Sequence, residues 1–339
     1  AADKDRITLI EQCWKEVDLL FAAFREWFED LCFYHYVGFL VACDYPIKSI
    51  VCSWQKSSGT KENFVSWLKA KIVKKVENCK DLRMSYQFEP NDPQRVQCRP
   101  LLLLHNIQCV INQNTNETAK YGIATFYKFP FHLFKVEKWN VEHIDSNTEN
   151  SLDNEKDREE WLKSAWCFLR DEEVRKKIIE YFSRDVSDRD FKGLHNEVLR
   201  LVIQSGRLDD KGKNQIGNFV LLDESTNKSY GNAIFPVKKM ILMGKTQGVQ
   251  YQFKEKVEND ILKGFEIVVE PLGSKTDIKW KTAFVPPVTL RAFLKAFNPV
   301  SNNPWSWDAD DAKAYRSNIY ETLKEFGVID ASKDANAIQ

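Results

Sequence analysis

An α+β chain in two parts is what the sequence predicts: a mainly helical domain over 1–115, then a mixed domain over 116–339 centred on a strand–strand–helix unit with a helical insertion between its strands. Three observations carry the prediction. Apolar residues recur every three or four positions through much of the first 115 residues, the period of a helix with one covered face. Near Tyr121 the texture turns β-branched and aromatic, which favours extended chain. Two short strand-like segments, at Val136 to Ile144 and Ile216 to Leu222, are separated by a long helical stretch. A length of 339 residues accommodates two domains at roughly 100 to 200 residues each.

The first helix rests on Ile7, Ile10, Trp14, Val17, Phe21, Phe24, Phe28 and Leu31, spaced as one buried face. A second covers about 31 to 43, and a third about 61 to 79, with Phe64, Trp67, Leu68, Ile72 and Val76 inward. Residues 80 to 99 hold Pro90 and Pro93 and read as an irregular crossing. Pro100 then opens an apolar helix at a tolerated first-turn position. Beyond the boundary at 115 to 120, Ile123 to Phe134 read as extended. Helices are predicted at about 157 to 183 and 187 to 204, a loop at 205 to 214, and a helix from about Gly231 to Met243. A strand near 278 to 285 and helices at about 288 to 297 and 308 to 326 complete the chain, and no internal repeat is evident.

Composition narrows the function classes. With 43% hydrophobic and 29% charged residues the chain is of ordinary globular type. Forty-nine basic residues balance 49 acidic ones, so a polyanionic partner must be met by a local patch, and Lys228, Lys238, Lys239 and Lys245 in an acid-free stretch form the clearest one. The longest apolar run, Phe33 to Cys43, falls short of the roughly 18 to 20 residues that span a bilayer. The charged first residues carry no secretory pattern. Eight cysteines without a C-x-x-C pair read as reduced core thiols of a cytoplasmic protein rather than a zinc site. Met240 to Thr246 end like a phosphate-binding loop, but Lys239 stands where its first glycine belongs, so nucleotide binding is not read there.

The chemistry-bearing pattern is split. Glu142-His143 ends one strand, Asn218 begins the next, and Asn227 lies just beyond. In a metal-ion nuclease such a strand, strand, helix unit lets a neutral imidazole take a proton from water while an oxygen-ligated divalent ion holds the scissile phosphate. One carboxylate and one amide oxygen suit Mg²⁺, which keeps most of its waters, and Mn²⁺ is a natural substitute. Taken alone, Asn227 reads equally as a helix N-cap and Asn218 as a turn amide after Gly217.

Trp139-Asn140-Val141-Glu142-His143-Ile144-Asp145, together with Gly217-Asn218-Phe219-Val220-Leu221-Leu222, Asn227, Asn232, Phe235 and Lys238, resembles the His-Asn-His (ββα-metal) nuclease domain of GmrSD-type, modification-dependent (type IV) restriction endonucleases. The flanks Phe129-Pro130-Phe131, Phe284 to Thr289 and Trp307-Asp308 are similar too, as are Tyr34 to Leu40 and Leu102 to Ile107 in the helical part. The resemblance implies His143 as general base, Glu142 and Asn227 as ligands of one Mg²⁺, and Asn218 bracing the loop that aims His143. It implies that Asn232 and Lys238 support the helix or touch phosphate, with Lys228 and Lys239 beside them. Glu142 departs from the Asp of many relatives, and Asp145-Ser146 from a nearby Pro. Implied partners are DNA, modified on its bases or backbone, and an N-terminal nucleotide-hydrolysing or sensing domain whose motif is absent here, which would make this chain the C-terminal part of a longer protein; a homo-oligomer is a further expectation. The rival from another class is a non-catalytic assembly or signal-relay module with a silent nuclease site.

Overall fold

The computed structural model describes residues 2–56, 60–86, 98–121, 127–145, 152, 154–202, 208–230, 233–272, 284–301, 303 and 305–330. It is a mixed α+β structure with two small antiparallel sheets. The chain divides into two compact units, one of Ala1–Asp81, Gln97–Val136 and Tyr320–Gln339, the other of Leu82–Val96 and Glu137–Ile319. This partition is discontinuous where the sequence suggests a single boundary at 115 to 120. Local bonds explain why residues after 115 group with the helical part: the buried Asn114 amide donates to the Tyr127 carbonyl (3.1 Å), and Phe129 is held on both sides, its N–H by His35 Nε2 (3.0 Å) and its carbonyl by the Tyr34 hydroxyl (3.0 Å).

The first unit contains α1 (Ala2–Glu29), α2 (Leu31–Ala42), α3 (Ile47–Lys56), α4 (Lys61–Val76), α5 (Arg99–Tyr121) and α6 (Phe131–Val136). Asp30 caps α2 by accepting from the Phe33 N–H, and Thr60 caps α4 through the Asn63 N–H, each satisfying a first-turn donor that has no partner within its helix. The core gathers Phe33, Phe39, Leu40, Phe64, Leu68, Leu102 and Leu104, all buried. Two expectations change here. The segment expected to be extended contains α6 over 131–136, while residues 122–126 lie outside the described ones. The apolar stripe of α1, expected to be buried, is exposed: Trp14 is 64% and Phe21 68% accessible, and the helix is covered through Ala23 and Trp27 instead.

In the second unit, β1 (Asn140–His143) pairs antiparallel with β2 (Phe219–Leu222) in the register Asn140↔Leu222 to His143↔Phe219. Between them come α7 (Glu155–Trp166), α8 (Glu172–Ser183), α9 (Phe191–Val202) and the single turn α10 (Asp210–Lys213). After β2 follow α11 (Glu224–Tyr230) and α12 (Phe235–Thr246); α12 corresponds to the helix expected from about Gly231 to Met243, starting four residues later, and α11 is an additional helix before it. A hairpin of β3 (Val249–Glu258) and β4 (Ile261–Pro271) comes next, then α13 (Pro287–Phe293) and α14 (Ala309–Leu323), whose last residues belong to the first unit. The strand expected near 278 to 285 falls mostly outside the described residues, and 284–285 are irregular.

This hairpin is not among the elements expected from the sequence, although its signal is there. Asn259 and Asp260 both have positive φ (52° and 59°), the signature of the two-residue turn that matches strand twist. Its inner residue Phe265 joins Trp161, Leu162, Val174, Ile178, Leu194, Val198 and Val237 in one core, which fastens the helical insertion to α12. Gly264 sits at φ +156°, and the ring of Trp166 occupies the space a Cβ would need.

Of the cysteines expected in the core, Cys79 and Cys98 are buried, whereas Cys13 and Cys52 are exposed; all eight are free thiols. Among the described residues no helix is long and apolar enough to cross a membrane.

Candidate active site

Short strands hold their position here because their backbones are fixed from outside the ladder. Val220, Leu221 and Leu222 are fully buried. The Thr289 hydroxyl of α13 donates to the Leu221 carbonyl (2.6 Å), and the Trp307 indole donates to the Gly217 carbonyl (3.2 Å). Gly217 runs so close to α14 that an added Cβ would lie 2.6 Å from the Ala312 carbonyl oxygen. Trp139, just before β1, stacks on Phe284 at 5.5 Å.

Asn218 lies immediately before β2 and is completely buried. Its side chain makes three hydrogen bonds: Oδ1 accepts from the Asp145 N–H (2.8 Å), and Nδ2 donates to the carbonyls of Asp145 (3.0 Å) and Lys213 (3.0 Å). Its backbone carbonyl accepts from the Ile144 N–H at 2.9 Å. The chain leaving His143 is therefore tied to Asn218 at two successive residues. A primary amide is the one side chain that can copy a peptide group's donor and acceptor in this way.

Lys238, on α12, is 2% exposed and donates from Nζ to the His143 carbonyl at 3.2 Å. Burial pushes its ammonium down to about 8, against the opposing pull of the Asp145 and Glu142 carboxylates. The His143 imidazole, at the end of β1, meets the Phe219 ring edge-on at 5.0 Å. Glu142 precedes His143 on β1, and the Asn227 amide donates to its Oε1.

The position of Asn227 is set by two residues that the sequence reading did not single out for this role. Asp223, directly after β2, caps α11: its Oδ1 accepts from the Thr226 N–H (2.9 Å) and its carbonyl from the Asn227 N–H (3.1 Å). Lys245, 7% exposed on α12, donates to Asp223 Oδ2 (2.6 Å) and to the Thr226 hydroxyl (2.8 Å). Burial alone would raise the Asp223 carboxyl, yet Lys245 and the Thr226 hydrogen bonds hold it below the usual carboxylate range. The readable signal was an Asp at the junction of an apolar strand and a helical segment. The partner 22 residues on had none.

The expected basic patch is thus partly internal, with Lys245 paired inside and Lys238 placed on a backbone carbonyl, while Lys239 is partly exposed. Asn232 and the side chain of Lys228 lie outside the described residues. Glu142 and Asn227 fit a hard divalent cation. Their side chains touch, and a carboxylate and an amide carbonyl are oxygen donors of the kind such an ion takes. Among the described residues no group of three or more His, Cys, Asp or Glu side chains is arranged to hold a metal. The pair is one carboxylate and one amide, as suits an ion that keeps most of its waters. No family model, curated protein or solved structure matches the chain.

Proposed function

We propose that the chain is a metal-dependent DNA endonuclease of the ββα-metal (HNH) type, akin to the nuclease part of GmrSD-type restriction enzymes. The observation that carries the reading is the joint placement of the split motif: Glu142 in contact with Asn227, and Asn218 bonded to the two residues that follow His143. A chance Glu-His pair has no reason to meet both asparagines at once.

In this reading Glu142 and Asn227, which touch one another, would hold one Mg²⁺. The ion, when bound, supplies positive charge to the scissile phosphate and the departing 3′ oxygen. His143 takes the proton of the attacking water through its neutral imidazole. Asn218 and Lys238 fix the backbone that follows that imidazole, through Asp145 and the His143 carbonyl. Asp223 and Lys245 orient the helix that carries Asn227. The substrate class, modified DNA selected by a further domain of a longer protein, comes from the motif resemblance alone.

Supercoiled plasmid incubated with the chain in Mg²⁺, Mn²⁺ or EDTA provides the test. Nicking should require the ion and disappear in His143→Ala, while calorimetry with Mn²⁺ should show binding that Glu142→Ala abolishes. Cleavage by His143→Ala at the parent rate refutes the assignment of the base. A chain that neither cleaves nor binds Mn²⁺ supports the non-catalytic relay.

A further inference from the structure

We propose that α1 pairs two copies of this chain as an antiparallel coiled coil, a surface independent of the nuclease reading. The residues Ile7, Ile10, Trp14, Val17, Phe21 and Phe24 alternate spacings of three and four without a break, and Phe28 continues them. A stripe this strict is a coiled-coil seam rather than the broader face of a helix lying on a globular core. The structure separates the two faces. Ala23 and Trp27 cover α1 on its own unit at 4% exposure each, whereas every seam residue from Ile7 to Phe28 is between 46% and 68% exposed. Residues 5–19 are exposed without exception, about 22 Å of helix at 1.5 Å per residue. A free helix of that length is marginal in water, and one bearing such a stripe needs a partner helix of the same period.

Three features select a second copy. Seven half-exposed side chains, four of them aromatic, present on the order of 700–900 Å² per copy, comparable with the roughly 800 Å² per partner of a stable interface. Antiparallel overlap about a two-fold axis at residue 19 sets Ile10 of one copy against Phe28 of the other, Val17 against Phe21 and Trp14 against Phe24. Two of these three layers match a β-branched residue with an aromatic one, whereas parallel pairing would stack Trp14 on Trp14 and Phe21 on Phe21. The same overlap puts Glu11 beside Arg25 at both ends of the pair, and because the interface is isologous each favourable contact occurs twice. The exposed half of each helix then lies on the half that is anchored by Ala23 and Trp27 in the other copy. One like-charged meeting remains, Asp18 against its counterpart near the axis.

Sedimentation velocity on the full chain tests this. The parent should be a dimer at about 100 µM that dissociates on dilution. The variant Trp14→Glu/Phe21→Glu should remain monomeric there, with its denaturant midpoint, set by the core, showing that it is folded. Glu11→Arg alone, or Arg25→Glu alone, should weaken dimerisation about tenfold, and the two together should restore it. A monomeric parent at about 100 µM, a dimer that survives Trp14→Glu/Phe21→Glu, or a double charge swap that fails to restore pairing overturns the proposal.

Discussion

The brace between Asp223 and Lys245 allows the geometry around Asn227 to be weighed in free energy. Both side chains are nearly inaccessible, at 4% and 9%, and 2.6 Å apart. Removing one partner of such a pair strands the other charge away from water, at a cost of about 3–5 kcal/mol. Asp223→Asn keeps a competent helix cap but leaves the Lys245 ammonium without its counter-charge, so about 3 kcal/mol is expected. Lys245→Met preserves most of the packing volume and strands the Asp223 carboxylate, again at about 3 kcal/mol. The double variant strands neither charge, so its loss should resemble that of one single variant, a coupling of about 2–3 kcal/mol. Urea unfolding of the four proteins at pH 7, extrapolated linearly, measures it. The paired carboxyl titrates below the usual range, so its contribution is present above the unfolded carboxylate value. It is lost as pH falls through the lower folded value, and the coupling should shrink at strongly acidic pH. Additive single losses, with a coupling below about 0.5 kcal/mol, would refute the claim that the pair acts as one brace.

Two further perturbations read the two units separately. His35 is fully buried, with its Nδ1–H on the Leu31 carbonyl (2.7 Å) and its Nε2 accepting from Phe129, and burial pushes its imidazole from 6.5 down to about 4, helped by the nearby Lys128 ammonium. The unfolded chain takes up this proton near 6.5 and the folded one near 4, so stability should fall by about 3 kcal/mol as pH drops across that window; thermal unfolding should show the loss in the parent and not in His35→Phe, and parallel slopes would reject the mechanism. Gly217→Ala places a methyl 2.6 Å from the Ala312 carbonyl oxygen, backbone against backbone, so a loss of about 1–3 kcal/mol in denaturant midpoint is expected, and an unchanged midpoint contradicts the close approach.

What the sequence made readable depends on how far apart the cooperating residues stand. Glu142, His143 and Asn218 stand out in the sequence because each sits at the end or start of a short apolar segment, whereas Asn227 lies inside α11, capped by Asp223 and not itself the cap, and only the motif resemblance singles it out. The bonds of Asn218 to Asp145 span 73 positions; residue type alone gives a turn amide after Gly217, and the expectation that it braces the loop after His143 comes from the motif resemblance. The β3–β4 hairpin escaped because Lys254, Glu255, Lys256 and Glu258 dilute the alternation of the first strand, leaving the Asn259-Asp260 turn as the sole sharp cue. The α1 stripe shows the opposite failure. Its period correctly gives a helix, but periodicity states that a face is to be covered and does not state by what.

Lysines show most clearly where pattern stops and packing begins. Lys238, Lys239 and Lys245 lie within eight residues of one another in an acid-free stretch, which reads as a surface field for phosphate. On α12 successive positions differ by about 100°. Lys238 turns inward to the His143 carbonyl, Lys239 points partly outward, and Lys245, seven residues beyond Lys238 and therefore on the same side of the helix, reaches Asp223. That face carries two buried lysines because both of its targets, the carbonyl of the last β1 residue and the carboxylate that follows β2 and caps α11, lie within reach of that one side of the helix. The count of basic residues in a window therefore overstates the charge that a nucleic acid would meet. The helical phase, 238 and 245 against 239, separates support from surface and assigns the first two to holding the motif together.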